Sequence, residues 1–149
     1  SKLIDILKTP SEGPSWKTLA AGAYEDLFFI ARPEKANEYV ELVKSVVAKY
    51  SYPLTQIGAY IQPIEHNRAC QIEFTFFYDP ANEAEKAEIA AFTFEAANEL
   101  LKKGAQFTRP YGAIVPVVYD RAGNYTATLK RVKAIFDEKN ILNPGKLCF

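Results

Sequence analysis

The feature that most restricts the fold of this chain is the stretch from Cys70 to Tyr78, where Cys70, Ile72, Phe74, Phe76 and Tyr78 alternate with Gln71, Glu73, Thr75 and Phe77. Side chains leave a strand alternately to its two faces, so this period-two pattern predicts a strand with one fully apolar face. Such a strand needs neighbours, and the sequence supplies them. Leu27-Phe28-Phe29-Ile30 is a short aromatic and aliphatic run closed by Arg32-Pro33, which predicts a first strand over residues 26–31. Thr55 to Ile64 alternates more loosely around Gly58 and predicts a second, joined to the third by the polar hairpin Glu65-His66-Asn67-Arg68.

Between the strands the period changes. Ala36, Tyr39, Val40, Leu42, Val43, Val46 and Val47 recur at helical spacing, predicting a helix that opens at Pro33 and runs to about Tyr50. Asp79-Pro80 ends the third strand, and Asn82 is suited to cap a long helix that stops at Gly104, with an inward stripe of Ala87, Ala90, Ala91, Phe94, Ala97, Leu100 and Leu101. Ala105 to Thr108 is expected to add a short fourth strand, Pro110 to Pro116 a proline-broken stretch, and Tyr125 to Lys139 a last helix. The order strand, helix, strand, strand, helix, strand predicts an α+β fold. It is the ferredoxin-like arrangement, an antiparallel sheet with its helices on one face, here followed by a C-terminal helical segment. The opposite face, with aromatic and polar groups from strands two and three, is then left to roof a substrate cavity. Residues 1–23, with the breaker-rich Thr9-Pro10-Ser11-Glu12-Gly13-Pro14, are expected to be a linker, and residues 24–149 the domain.

Charge narrows the partners. Eighteen basic and eighteen acidic side chains cancel, leaving no electrostatic footprint for nucleic acid. No apolar run approaches the roughly 20 residues of a membrane helix, and no signal peptide opens the chain, so a cytoplasmic protein without a membrane span is expected. Two separated cysteines and a single histidine, His66, exclude a structural zinc site built by this chain. The absence of methionine points to a piece of a longer protein.

The C-terminal residues carry the one specific motif. Phe136-Asp137 and Ile141-Leu142-Asn143-Pro144-Gly145-Lys146 resemble the closing signature Lys-x-x-x-Asp-Pro-x-x-x-Leu-Asn-Pro-Gly-Lys of the FAD-linked oxidases of the vanillyl-alcohol-oxidase superfamily, which include D-lactate dehydrogenases and glycolate oxidase flavoprotein. Glu138 stands where that family commonly has proline. The resemblance covers about residues 25 to 149, and places Lys102-Lys103-Gly104-Ala105-Gln106-Phe107-Thr108-Arg109-Pro110-Tyr111-Gly112 where the family has its active-site loop. It implies the C-terminal, substrate-side half of an FAD-dependent oxidoreductase that oxidises a small organic alcohol, hydroxy acid or phenolic substrate by hydride transfer to flavin. It further implies an N-terminal FAD-binding domain or subunit that holds most of the cofactor, and an electron-transfer partner. The family's His-x-Gly-Asp-Gly-Asn-x-His and Gly-Glu-His-Gly segments are missing here, which points away from metal-assisted oxidation of 2-hydroxy acids and toward the phenol- and alcohol-oxidising branches.

Candidate site residues follow. Arg109 and Tyr111 sit on the proline-stiffened loop, where a guanidinium beside a phenol suits a carboxylate or a phenolate, and are the catalytic candidates. Tyr60 and Gln62 share one face of the second strand, Arg68 lies in the hairpin, and Glu73 on the third strand is either a proton acceptor or, preferably, an ion-pair partner of Arg68; these four are the substrate-binding candidates. Asn143 is the cofactor-binding candidate by family position, and equally a helix stop before Pro144. His66 reads as a solvated turn residue. The rival from another class is a free-standing ferredoxin-like module that binds a ligand or protein without catalysis.

Overall fold

The computed structural model describes Lys17 and residues 22–149. Apart from Lys17, Gly22 and Ala23, the expected linker lies outside the described residues. Three strands, β1 (Ala23–Ala31), β2 (Ile57–Ile64) and β3 (Ala69–Tyr78), form an antiparallel sheet in the order β1-β3-β2. The alternating strand is therefore central, paired along both edges from Ala23↔Tyr78 to Ala31↔Cys70 and from Ile57↔Phe76 to Ile64↔Ala69. β2 is an outer strand, the position at which Pro63 is tolerated. Gly22 turns the chain into β1 at φ +106°, where a Cβ would collide with the Tyr78 carbonyl, so only glycine fits.

Two helices, α1 (Ala36–Val47) and α2 (Glu83–Lys102), pack on one face of the sheet. The core is the inward row of β1 (Leu27, Phe29) and of β3 (Ile72, Phe74, Phe76) against Val43 and Val47 of α1 and Ile89, Phe92 and Leu100 of α2. Phe92 is fully buried, 4.8 Å from Phe76 and within 6 Å of the rings of Tyr50 and Tyr52. The inward stripe of α2 keeps Ala97, Leu100 and Leu101 of the expected one and differs toward its start. There Ile89, Phe92 and Ala96 point in, while Ala87, Ala90 and Ala91 are exposed and Phe94 is 40% exposed. Both stripes satisfy the helical period; the one through Ile89 removes more apolar area from water than one through Ala87, Ala90 and Ala91.

Local signals set the ends of α2. Asn82 accepts the Glu85 amide at 3.2 Å, the expected N-cap. At the other end Gly104, at φ +96°, gives its N–H to the Leu101 carbonyl while the Ala105 N–H reaches Leu100, the paired bonds of a Schellman stop. The chain then turns beside β1, but the expected fourth strand is reduced to one bridge, in which Ile30 and Gln106 exchange both backbone hydrogen bonds at 2.8 and 2.9 Å. Beyond it, α3 (Ile114–Arg121) takes up the end of the stretch expected to be broken by proline, and α4 (Gly123–Phe136) is the last helix expected. Pro116 does not break α3, because it lies in the first turn, where a missing N–H costs nothing.

Phe92→Ala is expected to destabilise the fold by about 3–5 kcal/mol in urea unfolding. Phe94→Ala, on the exposed stripe, is expected to change stability by less than about 1 kcal/mol.

Candidate functional site

The bridge at Gln106 explains where the loop goes. Because Ile30 directs its backbone groups away from β3, so do Phe28 and Asp26. The ladder stops after that bridge: no backbone bond joins Phe28 to Thr108, the next outward pair, and Pro110, which would come opposite Asp26, has no N–H to give. The Asp26 carbonyl instead accepts the hydroxyl of Tyr111. The Tyr111 ring stacks on Phe28 with centroids 6.1 Å apart, and the Arg109 guanidinium lies 5.5 Å from the centre of the Phe28 ring. A cation over an aromatic face is worth about 0.5–1 kcal/mol at an exposed site.

Behind this loop a cleft of about 250 Å³ runs between the free edge of β1 and the flank of α2. Leu27, Ile89, Ala90, Phe94 and Phe107 make its apolar walls, and Glu25, Lys86, Arg109 and Tyr111 its polar groups. Burial pushes the Tyr111 phenol well above its ordinary pKa, with the Glu25 charge adding, so the phenol stays protonated and acts as a donor. Glu25 is also raised, first by burial and then by the Asp26 charge, against the hydrogen bond from Tyr111. A larger hollow of about 460 Å³, bordered by Leu101, Phe107, Tyr119 and Arg121, contains no carboxylate.

The face of the sheet away from α1 and α2 carries the other candidates, and it is not the open surface expected: with Lys17 across Asp26 and Glu73, those side chains are only 21% and 16% exposed and Thr75 is buried. The register aligns Phe28 with Glu73 and Glu73 with Tyr60, so Arg109 and Tyr111, through Phe28, head a row that crosses all three strands. Gln62 lies one row away, opposite Gln71. Asp26 and Glu73 share the ammonium of Lys17, 2.7 Å from Asp26, and the Thr75 hydroxyl donates to Asp26 at 2.6 Å. Burial alone would lower the pKa of Lys17, but the bonds and charges of Asp26 and Glu73 outweigh it and hold the group above its ordinary value. The expected Glu73–Arg68 pair is not formed. Arg68 turns back onto its own hairpin, donating to the Glu65 carbonyl at 3.1 Å and lying 3.7 Å from the Glu65 carboxylate, because residues 65–67 take positive φ and fold the turn under it. His66 is exposed in that turn.

Asn143 is remote from this row in sequence, and its surroundings are those of a turn. Its carbonyl accepts the Lys146 amide at 3.2 Å, with Pro144 and a Gly145 of φ +72° between, the residue pattern of a type II turn. Sequence reasoning missed what supports it. The Asp137 carboxylate accepts the Ile141 and Leu142 amides at 2.9 and 3.0 Å and pairs with Lys133, which also donates to the Leu142 carbonyl and faces the Phe149 ring at 5.3 Å. The signal was present as a Lys–Asp pair at i,i+4. Around this knot, Ile135, Phe136, Ile141 and Leu142 are 59–79% exposed, and no residue of α4 is buried. Among the described residues no three His, Cys, Asp or Glu converge on a metal position, and no helix is long and apolar enough to cross a membrane.

Comparison with known proteins gives one match: residues 30–147 fit the family model of the C-terminal domain of FAD linked oxidases. No curated protein and no solved structure matches the chain.

The Lys133 hydrogen bond, with the two amides, holds Asp137 below its ordinary value of 3.8. A carboxylate depressed in this way stabilises the folded tail above its unfolded pKa, and that contribution is lost as pH falls through the folded value. Exchange protection of the Ile141 and Leu142 amides is therefore expected to collapse on acidification below about pH 3.8, and to be weak at every pH in Asp137→Ala.

Proposed function

Because the chain belongs to the family of FAD linked oxidase C-terminal domains, and is thus part of an FAD-linked oxidoreductase, we propose that it is the substrate-side part of an enzyme that oxidises a small organic alcohol, hydroxy acid or phenolic substrate by hydride transfer to flavin. The observation that carries this is the loop Thr108–Gly112, held against the free edge of β1 so that a guanidinium, a protonated phenol and an apolar cleft meet at one place. That is the composition of a small-molecule site, mostly apolar walls with a few convergent polar groups.

The described residues suit covering a flavin ring better than holding the whole cofactor. The chain has no Gly-x-Gly-x-x-Gly segment to cradle a pyrophosphate. The exposed apolar side chains of α4 and the tail suit contact with another domain. FAD would then be held mainly by an N-terminal FAD-binding domain or subunit, with residues 1–23 as the connection, and Asn143 would bring its turn to the ring. FAD, when bound, supplies the two-electron acceptor. The work of this chain is to bind and orient: Tyr111 fixes the loop through the Asp26 carbonyl, Arg109 balances negative charge, and Tyr60 and Gln62 line the approach along the second face of the sheet, where Lys17 holds Glu73. Arg68 stands at its far end.

In the complete flavoprotein under anaerobic conditions, the flavin's visible absorbance is expected to bleach on addition of a hydroxy acid or a phenolic or other alcohol. Arg109→Lys and Tyr111→Phe are each expected to lower kcat/KM about tenfold to a hundredfold, with flavin content unchanged. Absence of bleaching with every member of such a panel would refute the oxidoreductase assignment.

A further inference from the structure

Glu25 has no counterpart in the sequence analysis, and its position is unusual. It occupies an odd-numbered place on β1, the side of the sheet where Leu27, Phe29 and Ala31 are core, and it stands opposite Phe76. A carboxylate on that side is expected only if a partner compensates its burial. The nearby cations are engaged elsewhere. Lys17 holds Asp26 and Glu73, Lys86 lies 3.6 Å from Glu83, and Arg109 rests over Phe28. What stands near Glu25 instead is the Tyr111 hydroxyl, whose single proton goes to the Asp26 carbonyl.

An ionised carboxyl offers about four acceptor positions, and with that proton taken most of them are unused. They face a cleft whose other walls are Leu27, Ile89, Ala90, Phe94 and Phe107. A ligand that fits must bring a hydrogen-bond donor to the carboxylate and an apolar body to the walls. A second carboxylate at the same end would meet like charge in a partly dehydrated space.

We propose that Glu25 accepts the hydroxyl of an uncharged alcohol whose apolar body lies against Ile89, Phe94 and Phe107, and that its charge selects against 2-hydroxy acids. This rests on the oxidoreductase assignment above and adds to it the substrate class and the residue that sets it. Lys86 and Arg109 remain at the exposed rim, where water screens them.

The test uses the complete flavin-containing protein and two probes with no oxidisable carbinol hydrogen. They are 2-phenyl-2-propanol and its acid counterpart 2-hydroxy-2-phenylpropanoate, in which a methyl is replaced by a carboxylate. Equilibrium binding is followed by calorimetry and by perturbation of the flavin spectrum, so no turnover is needed. The wild type is expected to favour the neutral probe at least about tenfold. Glu25→Gln is expected to erase or reverse that preference with flavin content and unfolding midpoint unchanged. A wild type that favours the acid, binds neither probe, or keeps its preference in Glu25→Gln overturns the proposal. If such a protein still has its flavin bleached by a hydroxy acid, the substrate class alone has failed. A complete protein that holds no flavin would instead remove the oxidoreductase assignment.

Discussion

One hydroxyl-to-carbonyl hydrogen bond shapes the functional end of this molecule. The edge of β1 is extended by Gln106 alone: no backbone bond joins Phe28 to Thr108, the next outward pair, and Pro110, which would come opposite Asp26, has no N–H to give. The ladder ends after one bridge, and a side-chain hydroxyl, that of Tyr111, takes the place of a backbone amide at the Asp26 carbonyl. Everything at the cleft follows from this exchange. The loop stands off from the sheet, the ring of Tyr111 lies on Phe28, the cleft opens between β1 and α2, and Glu25 is uncovered at its wall.

The sheet divides the molecule into a side that forms the apolar core and a side that carries the polar groups. On the helix side the aromatic rings of Phe29, Phe74, Phe76 and Phe92 interlock, which makes β1 and β3 a rigid base. On the other side the polar groups are organised and not simply solvated: Lys17 bridges Asp26 and Glu73, and Thr75 fixes the second oxygen of Asp26. Two carboxylates near one ammonium keep that part of the face ordered. Tyr60, 43% exposed at the β2 end of the Phe28–Glu73 row, stays accessible.

The tail motif is a small machine for making a turn. Lys133 and Asp137, one helical turn apart, satisfy the amides of Ile141 and Leu142 and the carbonyl of Leu142, so that Asn143-Pro144-Gly145-Lys146 follows from a fixed base. Glu138, the departure from the family pattern, lies outside this set of bonds. The turn's geometry and the exposed Ile135 and Phe136 beside it account for why the motif keeps both polar and apolar members.

What the sequence determined by itself was local. The β3 alternation, the Asn82 cap, the glycine stop at Gly104, the hairpin after Ile64 and the Asn-Pro-Gly turn each depend on residues a few positions apart, and each is present. Arg109 and Tyr111 were singled out by the place of their loop in the family resemblance, and in the fold both lie against Phe28. Tertiary structure decided what depends on distant partners. It chose Phe92 over Phe94 for the interior, gave Glu73 to Lys17 in place of Arg68, reduced the fourth strand to a bridge, and linked Arg109 to Tyr60 only through Phe28 and Glu73. Glu25 shows the limit most clearly. Its place in the alternation of β1 assigns it to the core side, and only the position of α2, set by packing far along the chain, leaves that place open to a ligand.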